Sequence, residues 1–203
     1  IQAEPLIARL AAEGEGMTFG VTVLLLAMQN PVVVAENAAS LDWITGGKYV
    51  LGVGLGYRPE EFEALGVAFK QRVSRFEEAI PLIRRLWTED SVTHHGTHFT
   101  VGGLSASIKP KRVGGPPIWV GGDVLAAVKR AARLNCPWIA PPTMTFMEIA
   151  ERVKVYSETI SKIDGGDVNE QPIVREVAIG ATKEQALQAA GPALLAKYES
   201  YAS

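Results

Sequence analysis

A single cysteine, Cys136, is all that the 203 residues contain, which excludes an internal disulfide and any metal site built from cysteines. Long apolar runs are missing as well. The most sustained of them, residues 21–28, has the length of a strand rather than of a bilayer crossing. No secretory or lipidation signal stands out, although residue 1 is Ile rather than Met. The net charge of −2 leaves no basic surplus to meet a phosphate backbone, so nucleic acid is not an expected partner. What the chain does have is apolar bulk, 47% of residues against 21% charged, enough for a substantial core. These features fit a cytoplasmic protein with no membrane contact.

Glycine is concentrated where it matters for function. Residues 46–62 read Gly-Gly-Lys-Tyr-Val-Leu-Gly-Val-Gly-Leu-Gly-Tyr-Arg-Pro-Glu-Glu-Phe. Tyr49 to Val53 has the pattern of a short strand buried on both faces. It runs into Gly52, Gly54 and Gly56, where a missing Cβ permits a sharp bend and close approach of another group. Pro59 then opens a helical turn. A buried strand ending in glycines and then polar residues is how the carboxyl edge of an α/β sheet makes a site. An ordinary strand-to-helix turn reads the same way.

Elsewhere strand and helix alternate. Leu6, Ile7, Leu10 and Ala11 give a helix over residues 4–13, and residues 18–27 a continuous apolar strand. A helix follows from Pro31 to Ile44, closed by Gly46 and Gly47. Ser74 is the expected N-cap of a helix whose buried stripe is Phe76, Ile80, Ile83 and Trp87. A hairpin is expected around His95-Gly96-Thr97, inside a hairpin and loop insertion over residues 91–116. Residues 117–121 form the next strand, with Asp123 poised to cap a helix over 124–134. A short strand at 137–140 and a helix on Phe146, Ile149, Val153, Tyr156 and Ile160 come next. A strand at 173–179 precedes a last helix, which Thr182 and Gln185 open as a capping box. This rhythm calls for a parallel sheet with right-handed crossovers, doubly wound or closed as a barrel. A closed eight-stranded barrel takes about 250 residues, so the expectation is a single partial (β/α) barrel domain over 1–203, a fragment or a reduced barrel.

Several stretches together carry a resemblance. They are Asn30-Pro31 to Asp42, Gly46 to Tyr57, Glu60-Glu61-Phe62 with Leu65-Gly66-Val67, Arg72, and Arg75 to Ala79. Leu86-Trp87, His95-Gly96, Pro116 to Gly122, Arg130 to Leu134 and Trp138 complete the set. In this order, over roughly residues 18–140, the chain resembles the bacterial-luciferase-like superfamily of flavin- or deazaflavin-dependent oxidoreductases. The resemblance implies a TIM (β/α)8 barrel with the cofactor across the carboxyl ends of its strands. About five of the eight strands are then expected here, the first two and the last being absent. The catalytic histidine commonly follows the family's second strand, so no catalytic residue is assigned. The family's Asp-Gly-Trp stands here as Cys136-Pro137-Trp138.

The same resemblance nominates cofactor contacts. Thr22 falls at a strand bulge, often with a non-prolyl cis peptide, that presses on the ring system; the plain alternative is a core strand. Asn30 would donate to a ring carbonyl or serve its own turn before Pro31. Gly52, Gly54, Gly56 and Tyr57 would make the floor and one wall. Gly121 and Gly122 would meet a phosphate at a helix start, where Asp123 introduces an opposing charge. His94, His95 and His98 have metal-like spacing but no neighbouring acid or thiol, and no metal site is expected. The implied function is monooxygenation of a small organic substrate with reduced FMN and oxygen. The alternatives are hydride transfer with a deazaflavin cofactor, or a non-catalytic remnant of the fold. A Rossmann-type use of Gly52-Val53-Gly54 would need a third glycine in register and a following helix. A separate flavin reductase and a homodimer are the partners the family implies.

Overall fold

Tyr49–Gly54 (β2) is buried at every residue and is an interior strand of the main sheet. The description rests on a computed structural model and covers residues 3–166 and 170–202, with side chains to residue 199. It divides into two compact units, one running to Ile173 and the other beginning at Val174. In the first, Ala3–Ala11 (α1) precedes Phe19–Leu25 (β1), which ends in a 3-10 turn at Leu26–Met28. Pro31–Ile44 (α2) starts on Asn30, whose Oδ1 accepts the Val32 N–H, with Pro31 in the first helical position. After β2 come Pro59–Ala64 (α3) and Arg72–Thr88 (α4). Val92–His95 (β3) and Thr100–Leu104 (β4) pair antiparallel as a hairpin. Ile118–Gly121 (β5), Leu125–Arg133 (α5), Trp138–Ile139 (β6) and Phe146–Ile160 (α6) complete this unit.

Strands β1, β2, β5 and β6 form one parallel sheet in that order, open at β1 and β6. Each neighbouring pair is therefore a crossover through a helix, and the carboxyl ends of the strands share one edge. Leu51, Val53, Ile118, Val120 and Trp138 are buried in the core, with Ala35 and Ala38 of α2, Phe76, Ile80 and Ile83 of α4, and Val128 and Ala131 of α5. Polar ties fix these helices. Trp87 Nε1 donates to Ala35 O at 3.0 Å, and Arg84 donates to Leu134 O at 2.7 Å and Asn135 O at 2.8 Å, satisfying carbonyls past the end of α5.

Four expectations need correcting. The strand at 173–179 does not form: a single parallel bridge joins Ile173 to Ala140, and Val177 and Ile179 are 82% and 92% exposed. A strand is stabilised by its ladder, and among the described residues no further partner pairs with these. The N-cap of α4 is Gln71, and Ser74, one turn in, bonds Gln71 O and the His98 ring instead. Phe146 is 74% exposed, because the buried stripe of α6 begins at Ile149 and continues through Tyr156 and Ile160. The N-cap of α5 is Val124 rather than Asp123.

In the second unit Lys183–Ala202 (α7) follows Thr182, whose Oγ1 accepts the Gln185 N–H at 3.3 Å. Glu176 accepts from Lys197 Nζ at 2.6 Å and Tyr198 Oη at 2.8 Å. Among the described residues no helix is long and apolar enough to cross a membrane.

Candidate cofactor site at the carboxyl edge of the sheet

The register of β1 against β2 breaks between Val21 and Leu24, which face Leu51 and Val53. Two residues, Thr22 and Val23, thus stand opposite the single Gly52 as a bulge, and the peptide between them is cis. Thr22 is exposed, and Val23 is half-buried. A Cβ on Gly54 would lie 2.6 Å from Val23 Cγ2, and one on Gly121 2.8 Å from Val23 Cγ1. A Cβ on Gly52 would collide with the carbonyl oxygen of Val21. These three glycines therefore make room first for β1 itself. Val23 is seated between β2 and β5, against Gly54 of the expected floor and Gly121 of the expected phosphate contact.

Gly56 has φ +81°, and a Cβ there would lie 2.7 Å from Met28 Cε, so the chain turns tightly over Met28 and Phe62. Tyr57 follows at 67% exposure, its ring 5.5 Å from the Arg58 guanidinium carbon. Asn30, at the end of the 3-10 turn, has committed Oδ1 to Val32, which is the turn role; Nδ2 remains a donor.

Beyond β5 the chain passes Gly122, with φ +154°. A Cβ there would lie 2.5 Å from Ala127 Cβ, so glycine allows the turn to sit close on α5. This extra residue of turn pushes the cap position on to Val124, which lacks a side-chain acceptor. Asp123 consequently stands outside the helix, exposed. Among the described residues the N–H groups of Asp123, Val124, Leu125 and Ala126 have no acceptor, and all four residues are exposed. The carbonyls on this turn are occupied. Trp138 Nε1 donates to Gly122 O at 2.7 Å, and Arg152 Nε donates to Asp123 O at 3.0 Å.

Away from this edge, the polar clusters have structural duties. Glu78 accepts the His98 N–H at 3.0 Å and the Phe99 N–H at 2.9 Å and lies 3.0 Å from His94 Nε2. It is the clasp of the hairpin. Burial pushes its pKa up, but the bonds from His94, His98 and Phe99 outweigh this and hold it below the usual carboxylate range. Arg75 and Arg72 serve carbonyls, of Ala27 and Phe69, while Glu77 pairs with Arg130 at 3.1 Å. Among the described residues no group of His, Cys, Asp or Glu is arranged to hold a metal ion. Cys136 is buried, and desolvation pushes its thiol up to about 11 even though Arg84 lies 3.1 Å from Sγ. A hollow of about 460 Å³ lies at the opposite, amino end of the strands, between residues 11–19 and 44–48. Its Thr45 Oγ1 is bonded to Leu41 O and its Lys48 Nζ to Gly16 O.

An open parallel α/β sheet with glycine turns, a bulge and free N–H groups along its carboxyl edge is the layout of a cofactor-binding α/β protein. Comparison with known proteins makes this specific. The family model for luciferase-like monooxygenases matches residues 3–203, and the chain belongs to that family. An uncharacterized protein of Mycobacterium tuberculosis is 36% identical over 135 residues, 66% of this chain and 46% of the relative. A phthiodiolone/phenolphthiodiolone dimycocerosates ketoreductase of Mycobacterium kansasii is 32% identical over 125 residues, 61% of this chain and 34% of the relative. The matched part thus spans less than half the length of these relatives.

Among solved structures, the monooxygenase RslO1 of Streptomyces bottropensis superposes with TM-score 0.85 at 23% identity, over 99% of this chain and 62% of that one. The oxygenating constituent of 3,6-diketocamphane monooxygenase from Pseudomonas putida, in complex with FMN, gives TM-score 0.78 at 21% identity, over 93% and 56%. An F420-dependent secondary alcohol dehydrogenase gives 0.70 at 19% identity, over 94% and 58%. At these identities the likeness is one of fold.

The glycine turns were legible in the residues, and the bulge at Thr22 and Val23 was implied by the family resemblance. The seating of Val23 on Gly54 and Gly121, and the grip of Trp138 and Arg152 on the β5–α5 turn, were not. Only the identity of Trp138, a buried aromatic with an N–H to satisfy, hinted at the latter.

Proposed function

We propose that this chain is the cofactor-holding part of a flavin-dependent oxidoreductase, a monooxygenase that uses reduced FMN and oxygen on a small organic substrate. The observation that carries the reading is the pairing, along one sheet edge, of the Val23 surface with four free N–H groups at residues 123–126. The donor set fits the group: a flat ring system needs apolar support, and its phosphate needs N–H donors. On this reading Val23 supports the ring, Thr22 and Asn30 Nδ2 donate at its polar edge, and Tyr57 walls one side. Gly52, Gly54, Gly56 and Gly121 shape that surface from beneath, and Gly122 sets the turn that presents the phosphate donors. Asp123 opposes the phosphate charge and weakens the subsite. When bound, reduced FMN supplies the electrons with which oxygen is activated.

Within this proposal the sheet corresponds to the third to sixth strands of a (β/α)8 barrel. The family's catalytic histidine then lies outside the chain, and a homodimer and a separate flavin reductase are the expected partners. A second reading, hydride transfer with a deazaflavin cofactor, is favoured by the ketoreductase relative and the F420-dependent dehydrogenase likeness. The rim donors described above suit either cofactor, since both carry a phosphate. Fluorescence titration of the chain with FMN and, separately, with the deazaflavin cofactor tests both. Saturable binding of one selects the branch. Binding of neither by a chain with a folded circular-dichroism spectrum refutes cofactor holding by these residues alone and favours a fragment or a non-catalytic remnant.

A further inference from the structure

We infer that Trp138 and Arg152 are positioning residues that aim the phosphate-binding N–H groups of the β5–α5 turn. The inference rests on the cofactor reading above and adds two side chains to it, neither of which faces the cofactor. In a trans peptide the carbonyl and the following N–H point in opposite directions. Trp138, fully buried, donates its indole N–H to Gly122 O at 2.7 Å. The Asp123 N–H on the same peptide is therefore turned away from Trp138, towards the exposed side of the turn. Arg152 donates Nε to Asp123 O at 3.0 Å and so turns the Val124 N–H away from α6 in the same manner. Two consecutive peptides are thus anchored by their oxygens and present their nitrogens.

Both anchors are themselves held. The backbone N–H of Trp138 donates to Gln171 Oε1 at 2.9 Å, and Arg152 Nη1 donates to Glu148 O at 3.2 Å within α6. The Arg152 cation also lies beside the Asp123 backbone, where it offsets the carboxylate that opposes an anion. Gly122 cannot hold this turn by itself, because its missing side chain widens the range of conformations open to it. Free amides that must find their orientation on binding lose affinity to ordering, whereas amides fixed beforehand do not.

The test compares FMN with riboflavin, which has the same ring and ribityl chain but no phosphate, in wild type, Trp138→Phe, Arg152→Ala and Arg152→Lys. Loss of an aimed, charge-assisted donor weakens FMN binding by about tenfold. The expected result is that Trp138→Phe and Arg152→Ala lose this much for FMN and nothing for riboflavin, with Arg152→Lys recovering part of the loss. Equal losses for both ligands, or no loss for either, overturn the inference and leave the two side chains as packing groups. Wild type that binds riboflavin as tightly as FMN overturns the phosphate subsite, and the inference with it. Arg152 is partly exposed and not in the core, so its variants report even if Trp138→Phe does not fold. If the deazaflavin cofactor is the ligand selected, the same four proteins are compared on it and on its dephosphorylated form.

Discussion

Gly54→Ala should destabilise the protein through one contact, and Val23→Ala should remove that penalty. The new Cβ would sit 2.6 Å from Val23 Cγ2, well inside van der Waals contact, and valine's stiff χ1 offers little retreat. Overpacking of this kind costs about 1–3 kcal/mol. At about 2–4 °C per kcal/mol for a chain of this size, Tm should fall by several degrees. In the Val23→Ala background the nearest remaining atom is Val23 Cβ at 3.5 Å, ordinary contact, so the double variant should fall no further than Val23→Ala alone. Gly121→Ala should behave the same way, since its clash is with Val23 Cγ1 at 2.8 Å and Cβ is 3.9 Å off. Gly52→Ala should not be rescued, because it meets the backbone oxygen of Val21. The assay is urea unfolding of the single and double variants as a thermodynamic cycle. Additive losses at 23 and 54, or a Gly54→Ala protein as stable as wild type, would refute the seating of Val23 between these strands.

Glu78 should make the hairpin sensitive to acid. Its folded pKa is depressed, so its contribution is complete above the unfolded carboxylate value and is lost as pH falls through the lower folded value. Protection of the His98 and Phe99 amides, exchange taken relative to the intrinsic rate at each pH, should hold above the unfolded carboxylate value of about 4.3 and fall below it; Glu78→Gln should show the weaker protection already at neutral pH. The Cys136 thiol, pushed up to about 11, should resist a disulfide reagent at pH 8 in the folded protein and react stoichiometrically in denaturant. Arg84→Ala strips three contacts, from Leu134 O, Asn135 O and Cys136 Sγ, and should cost about 1–3 kcal/mol in the same unfolding assay. Asp123→Asn should tighten FMN by about three- to tenfold at low salt, as expected for removing one exposed charge roughly 6 Å from a phosphate in water. The gain should shrink as salt is raised, and an unchanged affinity would place the phosphate elsewhere.

Most of the fold was legible because the chain's periodicities are strong and its punctuation is conventional. Asn30-Pro31 opens α2 where the sequence puts it, and β2 is continuous and buried as an apolar run between glycines should be. The failures fall where local pattern depends on a partner out of sight. Residues 173–179 carry a strand's composition, yet a strand exists only with a neighbour to pair with, and among the described residues they pair only at Ile173. Phe146 has the helical spacing of a buried residue, but α6 is covered only from Ile149 onward.

The glycines of the candidate site teach the same lesson more sharply. In the sequence Gly52, Gly54 and Gly121 look like room left for a ligand, since an absent side chain says only that something comes close. The structure names what comes close: the backbone of Val21 and the side chain of Val23, both from the bulged edge strand. On the proposed cofactor reading, the surface offered to a ligand is therefore not glycine but the valine that Gly54 and Gly121 seat. The displacement of the α5 cap from Asp123 to Val124 has the same origin, since Gly122 adds a residue of turn whose carbonyl Trp138 then holds. In both places a glycine admits one of the protein's own groups, and that group sets which side chains and amides face outward. Substitutions at Val23 and Trp138 should accordingly alter ligand binding more selectively than substitutions at the glycines, which disturb the sheet before they reach the site.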